Sequence, residues 1–306
     1  MVSGCARAAE APRQRARNRA GRRRIRRGQK GVGESSRLAK VVYISGPRPL
    51  RKSGRARPRP ARPPTGYSFH SAAAAFLTKS METYVIGDIH GAVRALDQVL
   101  ERSPFRPGID RLVQLGDVAD GWPDTPACVD RLLGIPNSIW LQGNHDWWAA
   151  EWLSTQLPLE YVEQDWYRQG GQATYEAYLQ LPSDERYRHF RQFFGEQWPY
   201  FEDEANNLYV HAGYDPKRPI ALQDPFDLIW TRDLWDGNQA ATGYHECFIG
   251  HTSTWNYKKV PCQTHNVWNV DQGAAYNGRL SMLNVRTKEF VQSDVVRELY
   301  PGVEGR

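Results

Sequence analysis

Three times between residues 83 and 145, a run of strand-forming residues stops at a glycine followed at once by Asp or Asn. The runs are "TYVIGD", ending at Asp88, "DRLVQLGD", ending at Asp117, and "NSIWLQGNHD", which carries Asn144. A stretch of helical character follows each one. "GAVRALDQVLERS" has apolar residues at 93, 96, 99 and 100, "PDTPACVDRLLG" has Asp124 near its start and Gly134 after its end, and "WWAAEWLSTQ" closes the series. Strand and helix alternating three times predict an α/β fold on a mostly parallel sheet. In such sheets chemistry gathers at the carboxyl ends of the strands. Those ends carry Asp88 and His90, then Asp117 and Asp120, then Asn144 and His145. Taken alone, "GDIHG" reads as a tight turn with a capping Asp before a helix. Three successive strand ends in register are hard to obtain by chance.

The pattern then changes. Residues 150–196 read as mainly helical, a lid or side wall with no site assigned. "NLYVHAG", "HECFIGHTS", "KKVPCQTHNVWNVDQGA" and "GRLSMLNVRTKEFVQ" are strand-like runs without helices between them. They predict a second, mixed or antiparallel sheet packed on the first. Two of the runs end in His211 and His251, each within two residues of a glycine.

Charge divides the chain in two. Residues 1–80 hold 21 of the 40 Lys+Arg and only Glu10 and Glu34, a net +19, whereas residues 81–306 carry a net −13. The overall +6 averages two unlike segments. The first has few large apolar residues and no periodicity, so it is expected to be disordered. It reads as a start-site artefact preceding Met81, as an organelle transit segment, or as a nucleic-acid-binding tail. All 11 Trp lie in residues 81–306, a length that can bury one full core. No run approaches the roughly 20 apolar residues of a membrane span. Cys5, Cys128, Cys247 and Cys262 show no CxxC spacing, so neither a disulfide framework nor a zinc ribbon is indicated, and the cytoplasm is the expected compartment.

Asp88, His90, Asp117, Asn144, His211 and His251 form a mixed nitrogen and oxygen donor set without thiolate. It is too large for one tetrahedral zinc. It suits two divalent ions about 3.5–4 Å apart that share a bridging carboxylate. Asp117, on the middle of the three strands, is the natural bridge.

"GDIHG", "GDVAD", "GNHD", "HAG" and "GHT", in that order, resemble the signature set of the calcineurin-like metallophosphoesterases. More narrowly, they are similar to the bacterial and phage branch of the phosphoprotein phosphatases. The resemblance covers nearly all of residues 82–292, including "HAGYDPKRP", "LIWTRD" and "VDQGAAYNGRL". It implies an α/β sandwich of two mixed sheets flanked by helices. It also implies Asp88 and His90 on one metal, Asp117 between both, and Asn144, His211 and His251 on the second. His145 would be the general acid, held and tuned by Asp120, and Arg232, with Asn144, would contact the substrate phosphate. Attack by a metal-bound hydroxide would need no covalent enzyme intermediate. Two divalent ions are implied, Mn²⁺ first, with Fe or Zn open.

Blander readings stand beside these. Asn144 is also suited to capping a helix, His211 and His251 to burial in a core, and Arg232 to a structural ion pair. His189, His245 and His265 sit in no motif and are assigned structural or surface roles. The spacing of "HDWWAAEW" favours core packing over base stacking. One departure matters: the family usually carries "GDxVDRG", with an Arg on the substrate phosphate, and here Gly121 takes that place and Trp122 follows. The leading expectation is a serine/threonine protein phosphatase. Symmetrical diadenosine tetraphosphatase or another small phosphoester hydrolase is the rival. A nucleic-acid-binding protein with a retired esterase domain belongs to a different class, and the acidic charge of residues 81–306 argues against it.

Overall fold

The computed structural model describes residues 80–306; the expectations for the Arg-rich segment lie outside the described residues. Strands β1 (Thr83–Ile86), β2 (Arg111–Gln114) and β3 (Ser138–Trp140) pair in parallel, with Val85 opposite Val113 and Val113 opposite Ile139. Helices α1 (Val93–Arg102) and α2 (Thr125–Leu133) provide the crossovers. α3 (Asn144–Thr155) follows β3. It begins three residues earlier than the sequence reading implies, so Asn144 and His145 lie in its first turn. Asp146, the third helical residue, accepts from Gly143 N–H at 3.3 Å and holds the start in place. Beyond it, α4 (Gln172–Leu179) and α5 (Ser183–Gln192) complete a helical wall.

Strand β1 shows why the sheet must be sandwiched. Tyr84 and Ile86 face the helices, while Val85 faces the other way, and all three are buried. Successive side chains alternate faces, so a strand apolar at every position needs cover on both sides. The second cover is a sheet built from β4 (Tyr200–Glu202), β5 (Leu208–Val210), β6 (Cys247–Ile249), β7 (Cys262–Thr264) and β8 (Val267–Asn269), in the order β4-β5-β6-β8-β7. Tyr209 and Phe248, stacked at 5.2 Å, meet Val85, Val113 and Leu283 between the sheets. Their strand neighbours Leu208, Val210, Cys247 and Ile249 point the opposite way into a smaller cluster with Tyr214 and Leu234.

The last strand-like run does not join that second sheet. β9 (Ser281–Asn284) pairs antiparallel with the free edge of β1, Ile86 opposite Met282, and β10 (Phe290–Gln292) pairs with β9. The first sheet is therefore mixed, ordered β10-β9-β1-β2-β3. β4, which the sequence reading did not single out, takes an edge of the second. A strand's own residues report its faces but not its neighbour, and here the open edge of β1 decided the pairing.

Candidate active site

The ends of β1, β2, β5, β6 and β8 open toward one another. Asp117 O accepts from the backbone N–H groups of Ile89 and His90 at 2.9 and 3.0 Å, which ties the β1 loop to the β2 loop. His90, Asp117, Asp120 and His251 sit at φ of 52°, 56°, 73° and 62°. Non-glycine residues there cost of order 1–3 kcal/mol each and persist where the surroundings over-determine them. The glycines of the pattern have a steric reason. A Cβ on Gly143 would stand 2.1 Å from Asp117 Oδ1, and one on Gly250 would stand 2.0 Å from Asp88 Oδ1.

Two overlapping donor groups result. Asp88, His90 and Asp117 form one, and Asp117, His211 and His251 form the other, with donor atoms in each within 4.8 Å of one another. Asp117 is common to both. His90 Nε2 and His211 Nε2 approach Asp117 Oδ2 at 3.6 and 3.5 Å. Their Nδ1 atoms face backbone carbonyls, Ala119 O at 3.1 Å and Leu115 O at 2.8 Å. That pairing turns each Nε2 toward the cluster, the orientation that a metal ligand requires. Asn144 Oδ1 lies 3.2 Å from His211 Nε2, so its side chain serves this cluster, and Gly143 holds the cap position.

Electrostatics favour cation binding. Burial, then the charge of Asp271, pushes Asp88 well above the usual carboxylate range. Burial also opposes ionisation of Asp117, but His211, His145 and His90 together hold it well below that range. Burial lowers His90 to about 3 against the pull of Asp117, and it lowers His251. Both imidazoles are thus neutral. For His211 the Asp117 charge and hydrogen bond outweigh burial and raise it to about 9. Asp88 Oδ1 and His251 Nε2 are buried without hydrogen-bond partners. Unpaired buried acceptors beside crowded carboxylates fit divalent ions.

Behind His90, His145 Nδ1 lies 2.6 Å from Asp120 Oδ2, and neither side chain has any exposure. His145 Nε2 has no partner. Asp120 is itself held: Trp166 Nε1 donates to its Oδ2 at 2.8 Å, and its backbone N–H donates to Thr174 Oγ1 at 2.8 Å. Trp166 and Thr174 come from the segment to which the sequence reading assigned no site, so this wall helps to build it. Arg232 donates to His251 O at 3.0 Å and Thr252 Oγ1 at 2.9 Å, neutral acceptors rather than a carboxylate. A cavity of about 240 Å³ is lined by Asp88, His90, Asp117, Asn144, Arg232 and His251, joined by Gln169, Trp230, Asp271, Tyr276 and Arg306. His145 and His211 stand just behind this lining. Trp148 and Trp152 pack in the core, and His189 bonds Tyr178 and Asp130 away from the site.

Two acids were missed. Asp271, raised to about 6 by burial and the Asp117 charge, stands in "VDQGA", another acid within two residues of a strand end and a glycine. Asp146, inside "GNHD", accepts from Val118 and Ala119 N–H at 2.8 and 3.0 Å and so shapes the loop that presents Asp117 and Asp120.

Fold and site define a metal-dependent phosphoester hydrolase, with candidate metal-binding clusters at the meeting edge of two mixed sheets. The family model of the calcineurin-like phosphoesterases matches residues 81–271, and the chain belongs to that family. It is 26% identical over 227 residues to serine/threonine-protein phosphatase 1 of Salmonella typhimurium, covering 66% of this chain and 91% of that protein. Over 67 residues it is 37% identical to the symmetrical bis(5'-nucleosyl)-tetraphosphatase of Pseudomonas entomophila, 22% of this chain and 24% of that protein. The structure of a protein serine/threonine phosphatase from Saccharomyces cerevisiae shares the fold at a TM-score of 0.51 and 13% identity, over 74% of this chain and 84% of that one. Among the described residues no helix is long and apolar enough to cross a membrane.

Proposed function

We propose that the protein is a phosphomonoesterase that removes phosphate from serine or threonine side chains of proteins, using two divalent ions, manganese first. The observation that carries this reading is a cavity of about 240 Å³ lined by Asp88, His90, Asp117, Asn144 and His251 together with Arg232. It falls below the roughly 300–1,000 Å³ in which drug-sized ligands are buried. Such a space takes a phosphoryl group and the short side chain bearing it, while the bulk of a protein substrate stays outside. Similarity along 91% of a serine/threonine phosphatase supports the same choice. Symmetrical cleavage of diadenosine tetraphosphate, or of another small phosphoester, is the second reading, favoured by the higher local identity of 37%.

In this mechanism Asp88, His90 and Asp117 would hold one ion, and Asn144, His211 and His251, with Asp117, would hold the other. Bound ions supply Lewis acidity, neutralising phosphoryl oxygens and lowering the pKa of water toward neutrality. Arg232 and Asn144 orient the phosphoryl group. His145 Nε2 delivers a proton to the departing alkoxide, and Asp120 fixes the ring through Nδ1 and stabilises its cationic form. A cytoplasmic setting completes the reading, supported by Cys128, Cys247 and Cys262 as free thiols. Nucleic acid is not the partner of residues 81–306, whose net charge is −13.

The test is hydrolysis of p-nitrophenyl phosphate by metal-stripped protein before and after Mn²⁺ is restored, with Asp117→Asn and His145→Asn beside it. Metal-dependent turnover that collapses in Asp117→Asn, with His145→Asn losing far more against a phosphoserine peptide than against p-nitrophenyl phosphate, supports the mechanism. Release of ADP from diadenosine tetraphosphate far faster than phosphate from phosphopeptides would reverse the substrate order.

A further inference from the structure

Arg232 and Arg306 are the two cationic side chains among the described residues lining the cavity. They arrive from different directions. Arg232 is bound to the backbone of His251, beside one donor group. Arg306 lies next to Gly121, and a Cβ on Gly121 would stand 3.4 Å from His90 Cβ, beside the other. Each donor group thus has one arginine on its side of the cavity.

The approach of Arg306 is built rather than incidental. Its backbone N–H donates to Ala275 O at 3.0 Å, its Nη2 donates to Gln169 Oε1 at 3.3 Å, and its guanidinium lies 5.7 Å from the Tyr276 ring centre. Ala275, Gln169 and Tyr276 all line the cavity. The stem of Arg306 crosses two residues without side chains. A Cβ on Gly121 would stand 3.6 Å from Arg306 Cβ, and one on Gly170 would stand 3.5 Å from Arg306 Cγ. Both glycines have left-handed φ, 92° and 105°, and Gly121 N–H donates to Gly170 O at 3.1 Å. A larger residue at 121 would fill the channel through which Arg306 enters. Trp122, the next residue, anchors the segment: its ring stacks on Tyr300 at 5.1 Å, its Nε1 donates to Ala274 O at 2.8 Å, and Gly305 packs against it closely enough that a Cβ would stand 2.6 Å away.

We propose that Arg306 is a second phosphate-binding residue, delivered into the active site from the segment after residue 300 across the bare backbone of Gly121 and Gly170. This rests on the phosphomonoesterase reading above. Its ligand is a phosphoryl oxygen, gripped on the Asp88–His90 side while Arg232 grips from the His251 side. Gly121-Trp122, where the family pattern continues with Arg, is then not a lost clamp. The glycine makes room for a guanidinium from elsewhere in the chain, and the tryptophan holds that segment down.

The experiment uses the full chain loaded with Mn²⁺ and measures inhibition by inorganic phosphate, calorimetric binding of inorganic phosphate, p-nitrophenyl phosphate kinetics, metal content and thermal midpoint. Arg306→Ala is expected to weaken phosphate binding and lower kcat/KM by about tenfold to a hundredfold, the loss of one charge-assisted clamp. Metal content and midpoint should stay unchanged. Arg306→Lys should recover part of the loss, because the charge returns without the planar fork. Arg297→Ala, a nearby cation bonded to Asn277 outside the cavity, should stay within about twofold, a change too small for a lost clamp. Phosphate affinity and turnover within twofold of wild type in Arg306→Ala overturn the proposal. So does a gain of activity, which would make Arg306 a plug, or a loss that tracks falling metal content. Wild-type protein that neither binds nor releases phosphate overturns the phosphomonoesterase reading and this proposal together.

Discussion

Replacing Asp120 by Asn tests the proton-delivery half of the mechanism. The carboxylate accepts on Oδ2 from His145 Nδ1 at 2.6 Å and Trp166 Nε1 at 2.8 Å, with no exposure of either member of the Asp–His pair. Asn keeps the volume and one oxygen acceptor but removes the charge that stabilises a protonated imidazole. A hydrogen bond to a charged group contributes about 1.5–3 kcal/mol. At 1.36 kcal/mol per decade, kcat should fall roughly 10- to 150-fold wherever the leaving group needs a proton. The assay is a series of aryl and alkyl phosphates of rising leaving-group pKa, with the thermal midpoint as a folding control. For p-nitrophenyl phosphate, whose leaving group departs as a stable anion, the loss should be only a few-fold. For an alkyl phosphate or phosphoserine peptide it should reach the full range, so the dependence on leaving-group pKa steepens. An equal loss along the whole series, with the midpoint unchanged, would refute the assignment and leave Asp120 and His145 as part of the binding site alone.

Three further outcomes follow from the packing. Gly143→Ala sets a methyl group against Asp117 Oδ1, 2.1 Å away; metal affinity by calorimetry should drop about 10- to 100-fold, as when a ligand's supporting contacts are lost. Phe248→Ala opens a hole between the two sheets and should cost about 3–5 kcal/mol in denaturant unfolding, whereas Leu222→Ala, at a side chain 70% exposed, should change stability by less than about 0.5 kcal/mol. Asp110 gives the pH dependence: burial opposes its ionisation, but the Arg106 side chain and the backbone N–H groups of Glu82 and Arg106 outweigh burial and lower it to about 2. Its folded pKa lies below its unfolded one, so its stabilisation is complete above about pH 4 and disappears as pH falls through 2. The difference in thermal midpoint between wild type and Asp110→Asn should therefore shrink across that window, and a difference independent of pH would contradict the assignment.

Much of the candidate site was legible because its residues are placed by local rules. A ligand at a strand's carboxyl end needs only the strand and the turn after it, and Gly87-Asp88, Gly116-Asp117 and Gly143-Asn144 carry both within a few residues. The same economy revealed His211 and His251 at the ends of β5 and β6. Where the local rule was read a little too simply, the error stayed small, as when Asn144 and His145 proved to open α3. What the sequence by itself determined was the candidate donor set and the order in which strands present it, since side-chain chemistry and twofold periodicity are local properties.

The tertiary structure decided which distant groups complete that set. β9 and β10 belong to the first sheet because the open edge of β1 accepts them, a choice no periodicity within residues 281–292 encodes. Trp166 reaches Asp120 across 46 positions, and Asp271 enters the same cavity from β8. Arg306 is the sharpest case. Gly121 reads in the sequence as a missing cation, and only folding shows that the stem of Arg306 crosses it. Proximity between segments far apart in the chain is set by how both faces of each sheet are covered, and that is a property of the packed whole.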